Sequence, residues 1–256
     1  MTPTWLYLLS TLTILSAMTG ANPPETGDGA GELMHYKLRY SIFQVGVATV
    51  SCREDPTGAI CQVSVEARSN GLVKLFNNMH YHLECHVDPS TGLPDSAIIN
   101  LKDRKNSLYN ELYFHQDARS DSAMVISKLS GTHMVSKDIY EILTGFYHFR
   151  EDLISCHHSP GREAIIKTFY PDKPWDLIFH YAGEEELKTA LGHQSCYKYY
   201  PGTIAGRFFE NEDDMSVWFT QEKPYIPVRF RLNLKIGAIH GVLVEYFSNY
   251  SDRVRD

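Results

Sequence analysis

The sequence predicts a mainly β fold: one domain built on an antiparallel sheet, with a single substantial helix. Three observations carry that prediction. Between Val228 and Ile236 the residues alternate without a break. Val228, Phe230, Leu232, Leu234 and Ile236 fall on one face, and Arg229, Arg231, Asn233 and Lys235 on the other; a strand lying on a core sorts such a pattern into faces and a helix does not. Alternating segments recur along the chain at the short, regular spacing of barrels and sandwiches. One stretch alone breaks the rhythm, with apolar residues at steps of three and four.

In chain order, Trp5 to Ala17 is almost wholly apolar or hydroxylic, and Thr19-Gly20-Ala21 supplies the small residues a signal peptidase needs. Residues 1–21 therefore read as a signal peptide cut after Ala21, although no Lys or Arg precedes the apolar run. That run falls short of the ~20 residues that span a bilayer, so no transmembrane helix is expected in the mature chain. The expected location is exported, in the periplasm or at the cell surface or beyond. The first cysteine is Cys52, so no lipidated anchor is indicated. Residues 22–31 (NPPETGDGAG) form a flexible lead-in, residues 32–250 the domain, and residues 251–256 a tail.

From Glu32 the chain is strand-like: Met34, Tyr36, Leu38 and Tyr40 alternate with polar neighbours, Ile42 to Arg53 follows, and Gly46 marks a bulge or bend. Ile60 to Arg68 returns, Asn70 to Asn77 is a short irregular or helical link, and Met79 to Asp88 is the next strand. Asp88-Pro89-Ser90-Thr91-Gly92-Leu93-Pro94 is a turn. Strands near Ser96 to Leu101, Leu108 to His115 and Met124 to Lys128 precede the helix. That helix is expected over about residues 136–152, with Ile139, Ile142, Leu143, Phe146, Phe149 and Leu153 on one stripe, Ser136 as N-cap and Asp138 at the positive end of the dipole. It is expected to lie against the sheet or plug its open side. Strands resume over Glu163 to Tyr170, Trp175 to Ala182, Glu185 to Leu191, Ser195 to Tyr200 and Met215 to Thr220, before the Val228–Ile236 strand. Gly237, free to take positive φ, turns the chain into a last strand through Val242, Val244 and Tyr246.

Composition narrows the function classes. A hydrophobic fraction of 43% with 12% aromatic residues supports a sizeable core. A net charge of -7 argues against a nucleic-acid partner, which requires a basic patch or stripe; Arg229, Arg231 and Lys235 read as the wet face of a strand. Among five cysteines there is no Cys-x-x-Cys pair. Cys52 and Cys61 flank the turn sequence Asp55-Pro56-Thr57-Gly58, which makes them the disulfide candidate, directly opposite one another at a Cβ separation of ~4.5–5.5 Å. Cys85, Cys156 and Cys196 have no assignable partner.

Several clusters carry possible chemistry. His80, His82, Glu84 and His86 share one face of a strand, so His80, His82 and His86 are candidate metal ligands, weighed against a His-rich outer face. Cys156-His157-His158 is a possible thiolate–imidazole pair. Glu184-Glu185-Glu186 and the acidic run from Glu210 to Asp214 offer carboxylates, or simply solvated hairpin tips. Tyr197, Tyr199 and Tyr200 with Trp218 form a possible aromatic floor for a sugar or lipid. Neither a G-x-S-x-G elbow, a phosphate-binding loop nor a dinucleotide fingerprint occurs, so no catalytic residue and no cofactor is predicted.

Read in order, four segments resemble the bacterial exported family catalogued as domain of unknown function 3108. They are GELMHYKLRYSIFQVGVATV (Gly31 to Val50), HVDPSTGLP (His86 to Pro94), DIYEILTGFYHFRE (Asp138 to Glu151) and MSVWFTQEKPYIPVRFRLNLKIGAIHGVLVEY (Met215 to Tyr246). The resemblance implies a curved antiparallel sheet forming an open barrel with one helix, facing the periplasm or outside, and no established activity. The leading expectation is therefore a non-catalytic binding or carrier protein of the envelope. Its amphipathic or saccharide ligand, a lipid or a glycan, would lie in the concavity of the sheet against Trp218, Phe230 and Leu232, as ligands lie in the mouths of barrels. The alternatives are a polysaccharide-active enzyme using a carboxylate pair and a structural or assembly factor of the envelope.

Overall fold

The computed structural model describes residues 30–71, 73–76, 78–117, 119–153, 162–203, 214–234 and 237–248. The first half comprises strands β1 (Ala30–Tyr40), β2 (Phe43–Glu54) and β3 (Ile60–Ser69), a single turn α1 (Val73–Phe76), and β4 (His80–Val87), β5 (Pro94–Lys102), β6 (Ser107–His115), β7 (Ser122–Ser127) and β8 (Gly131–Ser136). The helix α2 (Ile142–Asp152) separates these from β9 (Glu163–Phe169), β10 (Pro174–Thr189), β11 (Gly192–Thr203), β12 (Met215–Thr220), β13 (Pro227–Asn233) and β14 (Ala238–Ser248). All fourteen strands join one antiparallel sheet in the order β8-β7-β6-β5-β4-β3-β2-β1-β14-β13-β12-β11-β10-β9.

The first strand is the centre of this order, pairing with β2 on one side and β14 on the other. The predicted C-terminal hairpin is present, with Gly237 at φ 73° and Arg231 directly opposite His240. The two edges, β8 and β9, come back toward each other, so the barrel is nearly closed. The seam is stitched where Tyr140 N–H donates to the Lys167 carbonyl and Phe169 N–H to the Tyr140 carbonyl, both at 2.8 Å.

One face of the sheet is predominantly apolar across its first five strands. Register places Met34, Val50, Val65, Leu83 and Ile99 side by side on it. Opposite stand His35, Thr49, Glu66, His82 and Asn100. The helix lies against β3, β4 and β9, on the concave side. Phe149 stacks on Phe179 at 3.6 Å between ring centroids and meets Tyr199 and Phe219 edge-on. Gly145 permits that approach, because a Cβ there would come to 3.1 Å from the Thr168 methyl.

Several expectations are corrected. Ser136 does not cap the helix: it ends β8, paired with Ser122, and Asp138 has φ 54°, outside the helical region. Glu141 is the N-cap, accepting from Leu143 N–H at 2.7 Å while its own N–H donates to Thr144 Oγ1 at 3.1 Å. Ile139 continues the helical stripe in sequence but packs with Phe169 and Val135 at the seam. The strand β8 was absent from the sequence reading, and the two segments Trp175–Ala182 and Glu185–Leu191 form one strand, β10, bulged between Tyr181 and Gly183. Finally, Cys52 and Cys61 do not oppose one another. A bulge opposite Arg53 and Glu54 shifts the register so that Val63 faces Cys52, and both cysteines are free thiols.

Candidate functional site

Three polar constellations stand out against this apolar interior. The first joins the helix to β1. Glu32 occupies an inward position of the alternation that buries Met34 and Tyr36, so its carboxylate is taken from water. Arg150 meets it in bidentate fashion, Nη1 to Oε2 and Nη2 to Oε1, each at 2.7 Å. Tyr147 donates to Oε2 at 3.0 Å, and Arg150 Nε donates to the Pro224 carbonyl at 2.9 Å. Every donor here serves to satisfy a buried charge, which makes this a clamp between helix, β1 and the loop before β13.

The second closes the seam. Asn110 and Ser127 are buried on the inward face of β6 and β7. Asn110 Nδ2 donates to the Pro171 carbonyl at 2.8 Å, and Asp172 accepts from Ser127 and, at 2.6 Å, from Ser130. Ser130 Oγ also lies 2.6 Å from His133 Nε2. A hydroxyl within reach of an imidazole is the geometry of a nucleophile and its base. Here, however, the carboxylate holds the serine rather than the histidine. The neighbouring amides of Leu129 and Ser130 are already committed to Asn110 and Ser127, which leaves neither of them to stabilise an oxyanion. The arrangement locks the β9–β10 turn onto β6–β8.

The third is concave. A hollow of about 610 Å³ opens at the end of the barrel where the β1–β2 and β13–β14 turns meet, lined by Tyr40, Ser41, Arg231, Asn233, Leu234 and His240. Arg231 and Asn233 project from the outer face of β13, and His240 lies directly between Arg231 and Arg39 in the register. Burial and the neighbouring Arg231 and Arg229 lower the His240 pKa from its usual value. Lys37 and Arg39 are exposed on the same face. Among the described residues, Lys37, Arg39 and Arg231 form no ion pair; the Lys and Arg bridges lie elsewhere. Like charges opposed across strands are unfavourable, and here the histidine standing between the two arginines has its pKa lowered.

The sequence candidates are dispersed. Trp218 pairs with Arg229 and Lys198, on the opposite face from Val217, the partner of Phe230; its indole N–H donates to Glu185 at 2.9 Å. The register therefore sets Trp218 on the other face of its ladder from Phe230 and Leu232, although Phe230 packs against the core cluster that includes Trp218. Phe230 lies flat on Gly241, where an added Cβ would come within 2.0 Å of the ring, and its centroid is 5.6 Å from that of Tyr36. The concavity expected to hold the ligand is occupied by α2 and its aromatic stack. His82 and His86 flank Glu84 at 3.6 and 3.0 Å, while His80 turns to Glu66 at 3.2 Å. No group of three such residues placed to hold a metal occurs among the described residues. Glu185 engages Lys198 at 3.0 Å, while Glu186 alternates to the other side and accepts from Ser195. Tyr199 packs in the helix-facing core, with Tyr200 on the other side, so the tyrosines form no single floor. Cys156-His157-His158 and the acidic run from Glu210 to Glu212 and Asp213 lie outside the described residues. What the sequence reading missed was the buried polar set; the signal was there in Glu32 and Asn110, each standing in an inward register position between apolar residues.

The fold has a solved relative. A β-barrel-like protein of domain of unknown function DUF1849 from Brucella abortus superposes with a TM-score of 0.57 at 7% identity, covering 86% of this chain and 98% of that one. At that identity the likeness is one of fold. No curated protein matches. A family model described as protein of unknown function, DUF3108, matches residues 35–244; the chain belongs to that family.

Proposed function

We propose that this chain is an exported, non-catalytic binding protein of the bacterial envelope, and that its ligand is an amphipathic molecule carrying an anionic group. The observation that supports this reading is the hollow at the β1–β2 and β13–β14 turns, where Arg231 and His240 meet Tyr40, Asn233 and the apolar Leu234. Its volume of about 610 Å³ falls within the ~300–1,000 Å³ of small-molecule sites. A guanidinium and an imidazole on one wall and an apolar residue on another suit a head group and the start of a chain. Since helix and aromatic stack fill the concave side, the ligand's seat is the outer rim. Export rests on the apolar opening of the chain, Trp5 to Ala17, and its small-residue cleavage pattern.

Native mass spectrometry of the protein purified gently from its own source tests the reading. A reproducible adduct of lipid or glycolipid mass is expected, lost on denaturation and absent from Arg231→Glu. A bare protein mass in both would overturn it.

A further inference from the structure

The β1–β2 turn presents two large apolar side chains to solvent at consecutive positions, Ile42 at 83% exposure and Phe43 at 43%. Scattered single apolar residues on a surface need no explanation. Here the pair sits at a hairpin tip, next to Ser41 at φ 54°, and both side chains stand outside the core. Directly behind the tip, the outward positions of three adjacent strands are cationic or titratable: Lys37 and Arg39 on β1, His240 on β14, Arg231 on β13. The chain as a whole is acidic, with a net charge of -7, yet among the described residues Lys37, Arg39 and Arg231 at this end form no ion pair.

We propose that this end of the barrel docks on an anionic membrane surface, with Ile42 and Phe43 entering the interfacial layer and Lys37, Arg39, Arg231 and His240 meeting phosphate head groups. Apolar side chains at a tip supply burial into the acyl boundary, and flanking cations supply attraction to anionic lipid; two weak signals together give stable but reversible attachment. A soluble polyanion would use the cations and leave the apolar tip in water, which is why a bilayer is the better fit. Among the described residues no helix is long and apolar enough to cross a membrane, so the attachment is peripheral. The docking surface adjoins the hollow but does not need a ligand in it.

Flotation of the full protein with vesicles tests the proposal. Binding is expected to vesicles of phosphatidylcholine with phosphatidylglycerol, with little to phosphatidylcholine alone. The double variant Ile42→Ser, Phe43→Ser is expected to weaken binding by about tenfold or more, and Arg39→Glu with Arg231→Glu by a similar factor. All four residues are exposed, so an unchanged melting temperature is expected and separates lost docking from lost fold. Failure of the wild type to float would overturn the proposal. So would full retention of binding by the Ile42/Phe43 variant, above all if inorganic phosphate strips it from the vesicles, since that would mark a soluble-anion site. Vesicle binding without a mass-spectrometric adduct would keep the docking surface and remove the ligand from the hollow; an adduct without vesicle binding would do the reverse.

Discussion

Arg150 closes both terminal nitrogens on the carboxylate of Glu32, at 2.7 Å each, inside the barrel. The two residues are separated by 118 positions in the chain, so the pair ties the helix to the strand at the centre of the sheet. Both side chains are almost fully buried, 11% and 7% exposed, and removing either partner strands the other as a lone buried charge. Glu32→Ala or Arg150→Ala is predicted to cost about 3–5 kcal/mol in urea denaturation. The double variant Glu32→Met, Arg150→Met is predicted to cost far less than the sum of the two. Additive losses would show that the two charges do not act as a pair.

Glu141 caps the helix from a fully buried position, and its Oε1 finds no hydrogen-bond partner among the described residues. Burial is the larger influence and raises its pKa to about 8, against the lowering effect of the amides of Leu143, Ile142 and Thr144. The folded chain thus holds a proton that the unfolded chain releases near the ordinary glutamate value of 4.5. That contribution is complete below about pH 4.5 and is lost as the pH rises toward about 8, because unfolding then releases a proton. Gln at position 141 keeps an acceptor for Leu143 and removes the titration. The stability of wild type relative to Glu141→Gln is predicted to fall across this window and to level off above it. A difference independent of pH would place a charged Glu141 in the fold.

Asp172 holds the barrel shut through Ser127 and Ser130. Asp172→Ala is predicted to lower stability by about 1–3 kcal/mol, the cost of taking an acceptor from the buried hydroxyl of Ser127. The loss is local. Hydrogen exchange should quicken at Tyr140 and Phe169, whose amides stitch the seam, before it changes at the β1–β14 centre. Uniform acceleration across the sheet would contradict a local lock.

Cys52, Cys85 and Cys196 are buried, and burial raises each of their thiol pKa values, that of Cys196 to about 11. Cys61 is partly exposed. Peptide mapping after mild alkylation of the native protein should find Cys61 modified, with Cys52, Cys85 and Cys196 protected until denaturant is added. A mapped Cys52–Cys61 bridge would contradict the register that sets Val63 opposite Cys52.

Much of the architecture was legible because period-two burial writes itself into strands. Val228 to Asn233 could be assigned from alternation alone, and Gly237 from its turn. The helix start was misread because Ile139 keeps helical spacing while serving the seam, and spacing does not record which partner buries a side chain. The disulfide expectation failed on register: Cys52 faces Val63, two residues beyond Cys61, an offset that the near symmetry of the two cysteines about their turn could not reveal. Trp218 was grouped with Phe230 although period two places them apart once Val217 is known to pair with Phe230. The hollow draws Tyr40 and Ser41 from one end of the chain and Arg231 to His240 from the other, an adjacency set by β1–β14 pairing and invisible without it.

The most direct measurement is a crystal structure of the protein purified with whatever it carries from its own source. The account predicts ligand density in the hollow against Arg231 and His240, with α2 still packed on Phe179 and Tyr199. Density inside the barrel, between a displaced α2 and β3–β4, would contradict it and return the ligand to the concavity of the sheet.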